Sequence, residues 1–208
     1  MRFKLMIVLT FLFSAVAAGD SLAPPYLLKG DFEPVWDREQ KEVATVEPFQ
    51  FVNQNNDTIS EKSLENRITV VNFFFTSCGG ICPMLMKKVK HVYSKLKGEG
   101  IQFVSFTITP DIDTPKKLTD YISANELPVK NWQLVTGPKD SLTSFSERVF
   151  QANQNNRSIP SKDTFIHSDQ IYLIDHHLQF RGSYFGRSQA AIINLIDDAR
   201  VLARAHKK

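Results

Sequence analysis

The stretch ITVVNFFFTSCGGICP, residues 68–83, decides the fold. Its first eight residues are β-branched or aromatic except for Asn72. A run of that kind fits a central strand buried on both faces. A second pattern opens at Pro83: Met84, Met86, Val89, Val92, Tyr93 and Leu96 recur at helical spacing until Gly98 stops them. The chain has two cysteines, Cys78 and Cys82, and both fall between the strand and the helix. In open α/β sheets, ligands and chemistry gather outside the carboxyl ends of strands.

Pro83 suits the first helical position and turns Cys82 away from helical angles. Cys82 is therefore expected at the helix N-cap, with Cys78 in the loop before it. Gly79-Gly80 lets that loop fold tightly. A helix N-terminus favours negative charge, so both thiols are expected to ionise more easily than free cysteine. Two such thiolates can close a disulfide, exchange disulfides or bind a soft metal. The C-x-x-x-C spacing is one residue longer than that of thioredoxin-type reductases, which leaves room for an ion between the sulfurs. Two thiolates do not close a four-ligand zinc site, so copper held by two sulfurs and one imidazole matches better. An inert structural disulfide is the competing reading.

The chain has five histidines from which a third ligand could come. His91 follows Cys82 on the same helix by nine residues, about 13 Å along the axis, too far to share an ion. His206 lies near the end of the last helix. His176 and His177 occupy a hairpin tip, where adjacent histidines are ordinarily solvated. His167 begins a strand after a polar loop, and on the residues alone an ordinary edge histidine is an equally good reading.

Outward from this segment, strands are expected at 49–52, 102–108 and 132–136, with a turn at 53–57 and a helical turn at 60–66. Asp113-Thr114-Pro115 starts a helix, with a capping residue before a proline at the first helical position. A further helix covers 139–150. Residues 166–174 and 178–184 form a hairpin around Asp175-His176-His177. Residues 187–205 form a closing helix with Ile192, Ile193, Ile196, Ala199 and Leu202 on one side. This order describes an α/β thioredoxin-like fold, a central mixed sheet with helices on both faces and an inserted hairpin.

The first residues stand apart. Arg2 and Lys4 precede an apolar run over 5–18 that ends in Ala15-Val16-Ala17-Ala18. That is the pattern of a secretory signal peptide, so residues 1–18 are read as one. At 14 residues the run falls short of the roughly 20 of a membrane span, which makes an inner-membrane anchor the weaker reading. Residues 19–47 read as a linker or loosely packed N-terminal arm, and 48–208 as the folded domain. Without Arg2 and Lys4 the chain has 23 Lys+Arg against 22 Asp+Glu. A balance so near neutral argues against nucleic acid as a partner. Sixteen Phe residues give ample core material.

The motif Phe75-Thr76-Ser77-Cys78-Gly79-Gly80-Ile81-Cys82-Pro83 resembles the F-T-x-C-P-x-x-C-P pattern of the Sco/SenC family of copper-binding thioredoxin-fold proteins. Asp113-Thr114-Pro115, Trp132 to Gly137 (WQLVTG), and Phe165-Ile166-His167-Ser168 with the strand after it are similar to further family segments. The resemblance covers roughly residues 48–204. It implies that Cys78, Cys82 and His167 are ligands of copper, as Cu(I) or Cu(II). It also implies a metallochaperone for a copper centre of respiratory cytochrome c oxidase. The implied partners are a copper-bearing oxidase subunit, a periplasmic copper donor and peripheral contact with the membrane-bound oxidase. The implied location is the bacterial periplasm. The alternative is a thiol–disulfide reductase that acts on the oxidase subunit's copper-ligand cysteines, with Cys78 and Cys82 as its catalytic residues. A peroxiredoxin-type peroxidase is disfavoured, because no proline precedes Cys78 at the spacing those enzymes use. Two departures stand out: Gly79-Gly80 replaces a proline and a frequent acidic residue, and Thr109 replaces a frequent aspartate.

Overall fold

The chain is described here by a computed structural model covering residues 23–37, 42–151 and 169–207. In chain order its elements are β1 (Tyr26–Leu27), β2 (Pro34–Val35), β3 (Gln50–Asn53), β4 (Thr58–Ser60), a 3₁₀ turn (Glu61–Ser63), β5 (Thr69–Phe74) and α1 (Ile81–Leu96). Then come β6 (Gln102–Thr107), α2 (Pro115–Asn125), β7 (Trp132–Thr136), α3 (Lys139–Phe150), β8 (Gln170–Ile174), β9 (Phe180–Phe185) and α4 (Gln189–His206).

Every residue of β5 is buried, as is every residue of β6. This is what a strand covered on both faces requires, and it explains the unbroken apolar run. The main sheet has the order β4-β3-β7-β6-β5-β8-β9. β5, β6 and β7 run parallel, while β3 and β8 flank them antiparallel, so the sheet is mixed. The parallel pairs are joined through α1 and α2, and both helices pack on the same face. Successive right-handed crossovers moving in one direction give this arrangement.

The side chains of β5 divide with period two. Val70 and Phe74 join Phe103, Trp132, Leu134 and Leu173 under α1, α2 and α4. Val71 and Phe73 join Val104, Phe106, Val135 and Tyr172 against α3, Phe49 and Phe51. Each fully buried Phe contributes roughly 1.5–3 kcal/mol of transfer free energy. Asn72, the polar residue in the run, is buried and satisfied. Ser105 Oγ donates to its Oδ1 at 2.6 Å, and Trp132 Nε1 donates to Ser105 Oγ at 2.9 Å.

Two expectations need correction. β4 was not foreseen, because three residues carry too little periodicity to announce a strand. It is held by pairing with β3 across a turn in which Asn53 Oδ1 accepts from the N–H of Asn55 and Asp57. The N-terminal arm, read as a linker or a loosely packed arm, is docked in its described part. Leu27, Val35, Ala44 and Val46 are buried. Arg181 accounts for much of the docking: its Nε donates to the Pro25 carbonyl at 3.1 Å, its Nη2 to the Pro24 carbonyl, and its guanidinium lies 3.9 Å over the Tyr26 ring. Trp36 stays exposed. The signal-peptide reading of 1–18 falls outside the described residues, and no helix among those described is long and apolar enough to cross a membrane.

Candidate metal centre

The chain leaves β5 at Phe74, turns through Thr76 and Cys78, and enters α1 at Ile81. The N-cap is Gly80, so Cys82 is the second helical residue and Pro83 the third. This corrects the expectation that Cys82 caps the helix. The first four N–H groups of a helix lack intrahelical partners, so proline is tolerated throughout that turn and need not mark its first residue. Gly80 N–H donates to Cys78 Sγ at 3.4 Å, which keeps the backbone close to the first sulfur.

Both cysteines are free thiols. Cys78 is partly exposed and Cys82 is buried at 5% relative exposure. The two thiols are in hydrogen-bonding contact. Burial pushes the Cys82 thiol up to about 12, and the hydrogen bond with Cys78 adds to it, while the N–H groups of Phe75 and Cys82 act the other way. For Cys82, desolvation therefore outweighs the helix N-terminus, and the expectation of an easily ionised thiol fails. Coordination to a metal removes such a proton outright.

The start of the loop is held by Asp113, which is fully buried. Its carboxylate accepts from Thr76 N–H at 3.2 Å and Thr76 Oγ1 at 2.5 Å. It accepts as well from Thr109 Oγ1 at 2.9 Å and from Thr107 Oγ1. One carboxylate thus ties the cysteine loop after β5 to the stretch 107–113 after β6. The sequence offered Asp113 only as part of a helix start, and that role belongs to its neighbour: Thr114 is the N-cap of α2, with Pro115 the first helical residue. Thr109 is drawn into the same cluster.

A cleft of about 400 Å³ opens beside the loop, lined by Phe75, Thr76, Cys78, Pro83, Lys117 and Tyr121 among others. Burial pushes the Tyr121 hydroxyl up to about 12, and the neighbouring Cys82, Asp113 and Cys78 reinforce this. Tyr121 therefore stands as a neutral phenol at the wall of the site. Sequence reasoning missed it; its only signal is its place three residues after buried Leu118 on α2.

His167 lies outside the described residues. Asp169, two residues further on, is described. Its carbonyl accepts from Gly186 N–H at 2.7 Å. β8 runs antiparallel to β5, with Ile171 opposite Asn72, so Asp169 is at the sheet end where β5 delivers the cysteine loop. A Cβ placed on Gly186 would meet Leu85 of α1 at 2.2 Å and the Asp169 carbonyl at 2.9 Å, so both elements close on this glycine. His91 is exposed on α1. His176, His177 and His206 gather at the opposite end of the sheet. Burial and the neighbouring His177 lower the affinity of His176 for a proton. Among the described residues no three His, Cys, Asp or Glu side chains converge as a ready-made metal cage. The two adjacent thiols are soft donors suited to a soft ion.

Fold and site together define a thioredoxin-like domain that presents a dithiol loop at a strand-to-helix junction. The chain belongs to the SCO1/SenC family, whose model matches residues 37–200. It is 30% identical over 158 residues to the SCO1 protein homolog of Bacillus subtilis, covering 74% of this chain and 81% of that one. Among solved structures it is similar to BsSco, described as a member of the Sco family of cytochrome c oxidase assembly proteins with a disulfide switch. That match has 28% identity and a TM-score of 0.66, and covers 77% of this chain and 94% of that one. The copper-bound ScoI of Bradyrhizobium japonicum shares the fold at 20% identity and a TM-score of 0.59, covering 78% and 99% of the two chains.

Proposed function

We propose that this chain is a copper-binding metallochaperone that serves assembly of a cytochrome c oxidase copper centre. The observation that carries this reading is the pair of free thiols in contact at the end of β5, in a chain of the SCO1/SenC family. Cys78 and Cys82 are copper ligands, and His167 is the third. Support for His167 is positional: Asp169 brings the chain back to the sheet end that carries the cysteines. Copper passes to the oxidase subunit by ligand exchange. Partly exposed Cys78 is the sulfur that an incoming ligand meets first, and buried Cys82 is the one that retains the ion.

The thiol–disulfide reductase reading is the weaker one. Partly exposed Cys78 could open such an exchange, but the resolving step falls to Cys82, which is buried and holds its proton tightly. As a metallochaperone the protein is exported by residues 1–18 and works in the periplasm. There it receives copper from a donor and meets the membrane-bound oxidase, with 48–208 as its working domain.

Copper titration of the reduced protein tests the proposal. One copper per chain is expected, with Cys78→Ser or Cys82→Ser abolishing tight binding and His167→Ala weakening it at least tenfold. Unchanged affinity in His167→Ala overturns the three-ligand site. Full copper binding by both serine variants overturns the reading as a whole.

A further inference from the structure

The cleft of about 400 Å³ beside the cysteine loop runs between α1 and α2. One end opens on the loop, where Phe75, Thr76 and partly exposed Cys78 line it. Towards the other end, Lys90 Nζ of α1 donates to the carbonyl of Asn125, the last residue of α2, at 2.9 Å and ties the two helices together. α2 forms one wall. It turns Leu118 into the core. Lys117, Asp120, Tyr121 and Ala124 recur at helical spacing and line the cleft. From Lys117 to Asn125 the axis covers about 12 Å, the length of roughly four residues of extended chain.

This groove has a definite chemical character. The Tyr121 ring leans on buried Phe74, with centroids 5.5 Å apart. Among the described residues the Tyr121 hydroxyl has no hydrogen-bond partner. Phe75 and Pro83 add apolar surface. Asp120 is paired with Lys116 at 3.1 Å, so its charge is compensated. The ammonium groups of Lys117 and Lys90 have no carboxylate partner among the described residues. The groove is therefore positive, partly apolar, and open at one end onto the sulfur of Cys78.

We propose that this groove docks the copper acceptor, that it takes an extended acidic segment beside the acceptor's own cysteine, and that Lys117 selects for the acidic side chains. The inference rests on the reading of Cys78 as a copper ligand. Any chain that takes an ion from Cys78 must lie over that sulfur, so the groove is continuous with the place of transfer. A carboxylate on the incoming segment pairs with Lys117. The Tyr121 hydroxyl donates to a backbone carbonyl of the same segment, and its ring gives the segment an apolar bed. Charge pairing of this kind fixes register and speeds encounter more than it tightens the complex. That suits partners that must separate once the ion has moved.

The test uses the full metal-free chain carrying Cys82→Ser. Two capped peptides, Gly-Glu-Cys-Glu-Gly and Gly-Lys-Cys-Lys-Gly, are each activated as the mixed disulfide with 2-thiopyridine. The Cys78 thiolate attacks the peptide sulfur, the Cys78–peptide disulfide forms, and thiopyridine leaves with the electron pair of the broken bond and is followed by absorbance. At low salt the acidic peptide should react about ten times faster than the basic one, and the gap should shrink at high salt. Lys117→Glu should abolish or reverse the preference, while Lys95→Glu, at the far end of α1, should leave it unchanged. Tyr121→Phe, which keeps the ring on Phe74, should slow the acidic peptide about threefold. Equal rates for the two peptides, a faster basic peptide, or a preference that survives Lys117→Glu overturns the proposal. An unchanged rate in Tyr121→Phe overturns the part given to its hydroxyl. The assay contains no metal, so these outcomes judge the groove alone, whereas failure of the unsubstituted chain to bind copper strikes the metallochaperone reading.

Discussion

The two halves of the cysteine loop are built on opposite principles. The half that leaves β5 is fastened: Thr76 gives both its N–H and its hydroxyl to buried Asp113. The half that enters α1 is open: a Cβ on Gly79 would meet nothing within 4 Å, and one on Gly80 only Cys78 Sγ at 3.9 Å. Neither glycine has a positive φ. The first sulfur thus hangs from a fixed point, and the backbone between the sulfurs has freedom to accommodate an ion. A loop that must take up and release a metal benefits from both properties, one for position and one for exchange.

The comparison can be broken most directly at Asp113. Asp113→Ala leaves the hydroxyls of Thr76, Thr107 and Thr109 without their acceptor, at about 1 kcal/mol each or more. A loss of about 3 kcal/mol in urea unfolding is expected, together with weaker copper binding. A loss under about 1 kcal/mol would mean that the fastened half is not fastened by this residue.

The second test is alkaline. The proton on Cys82 is held more tightly in the folded protein, up to about 12 against an ordinary 9.0. A raised value contributes stability that is fully present below about pH 9 and is lost as pH rises towards 12. The metal-free protein should therefore lose up to about 1.4 kcal/mol per pH unit above 9 through this group. Cys82→Ser should flatten that limb while leaving the neutral range alone, and equal slopes in the two proteins would refute the account.

Thr76→Val is milder. It removes the hydroxyl bond and keeps the N–H, so about 1 kcal/mol of stability should go. Its copper affinity should fall further than a remote substitution of equal stability cost would lower it. The smallest effect belongs to the open half. Gly79→Ala should leave the fold intact and add up to about 0.5 kcal/mol by restricting the unfolded chain. A marked destabilisation, read from the same urea curves, would show that the open half is under a constraint that the geometry does not reveal.

These contrasts also mark what the sequence made legible. β5, β6, β7, α1, α3 and the hairpin of β8 and β9 were readable, because burial on one or both faces leaves a local periodic trace. The helix start at Thr114-Pro115 was readable because capping chemistry is local too. Asp113 as a hub was not, since two of the four bonds it accepts come from Thr76, 37 residues earlier, on a strand end that only the folded sheet brings beside it. The burial of Cys82 was hidden for the same reason. The proline rule located α1 but misplaced its first residue by two positions. The arm over 23–37 and 42–46 carries no periodicity of its own. Its contacts with Arg181, more than 150 residues away in the chain, are invisible until the sheet exists.

That arm has a mechanical consequence. Pro24 and Pro25 are gripped by Arg181 at the beginning of β9, while the cysteine loop emerges from the far end of the neighbouring strands. A pull transmitted through the residues ahead of Pro24 would be borne first by that guanidinium and its Asp175 partner. The load would spread into the sheet before it reached Thr76 or either sulfur. A load entering from that side would reach the dithiol loop last, because the loop emerges from the opposite end of the sheet.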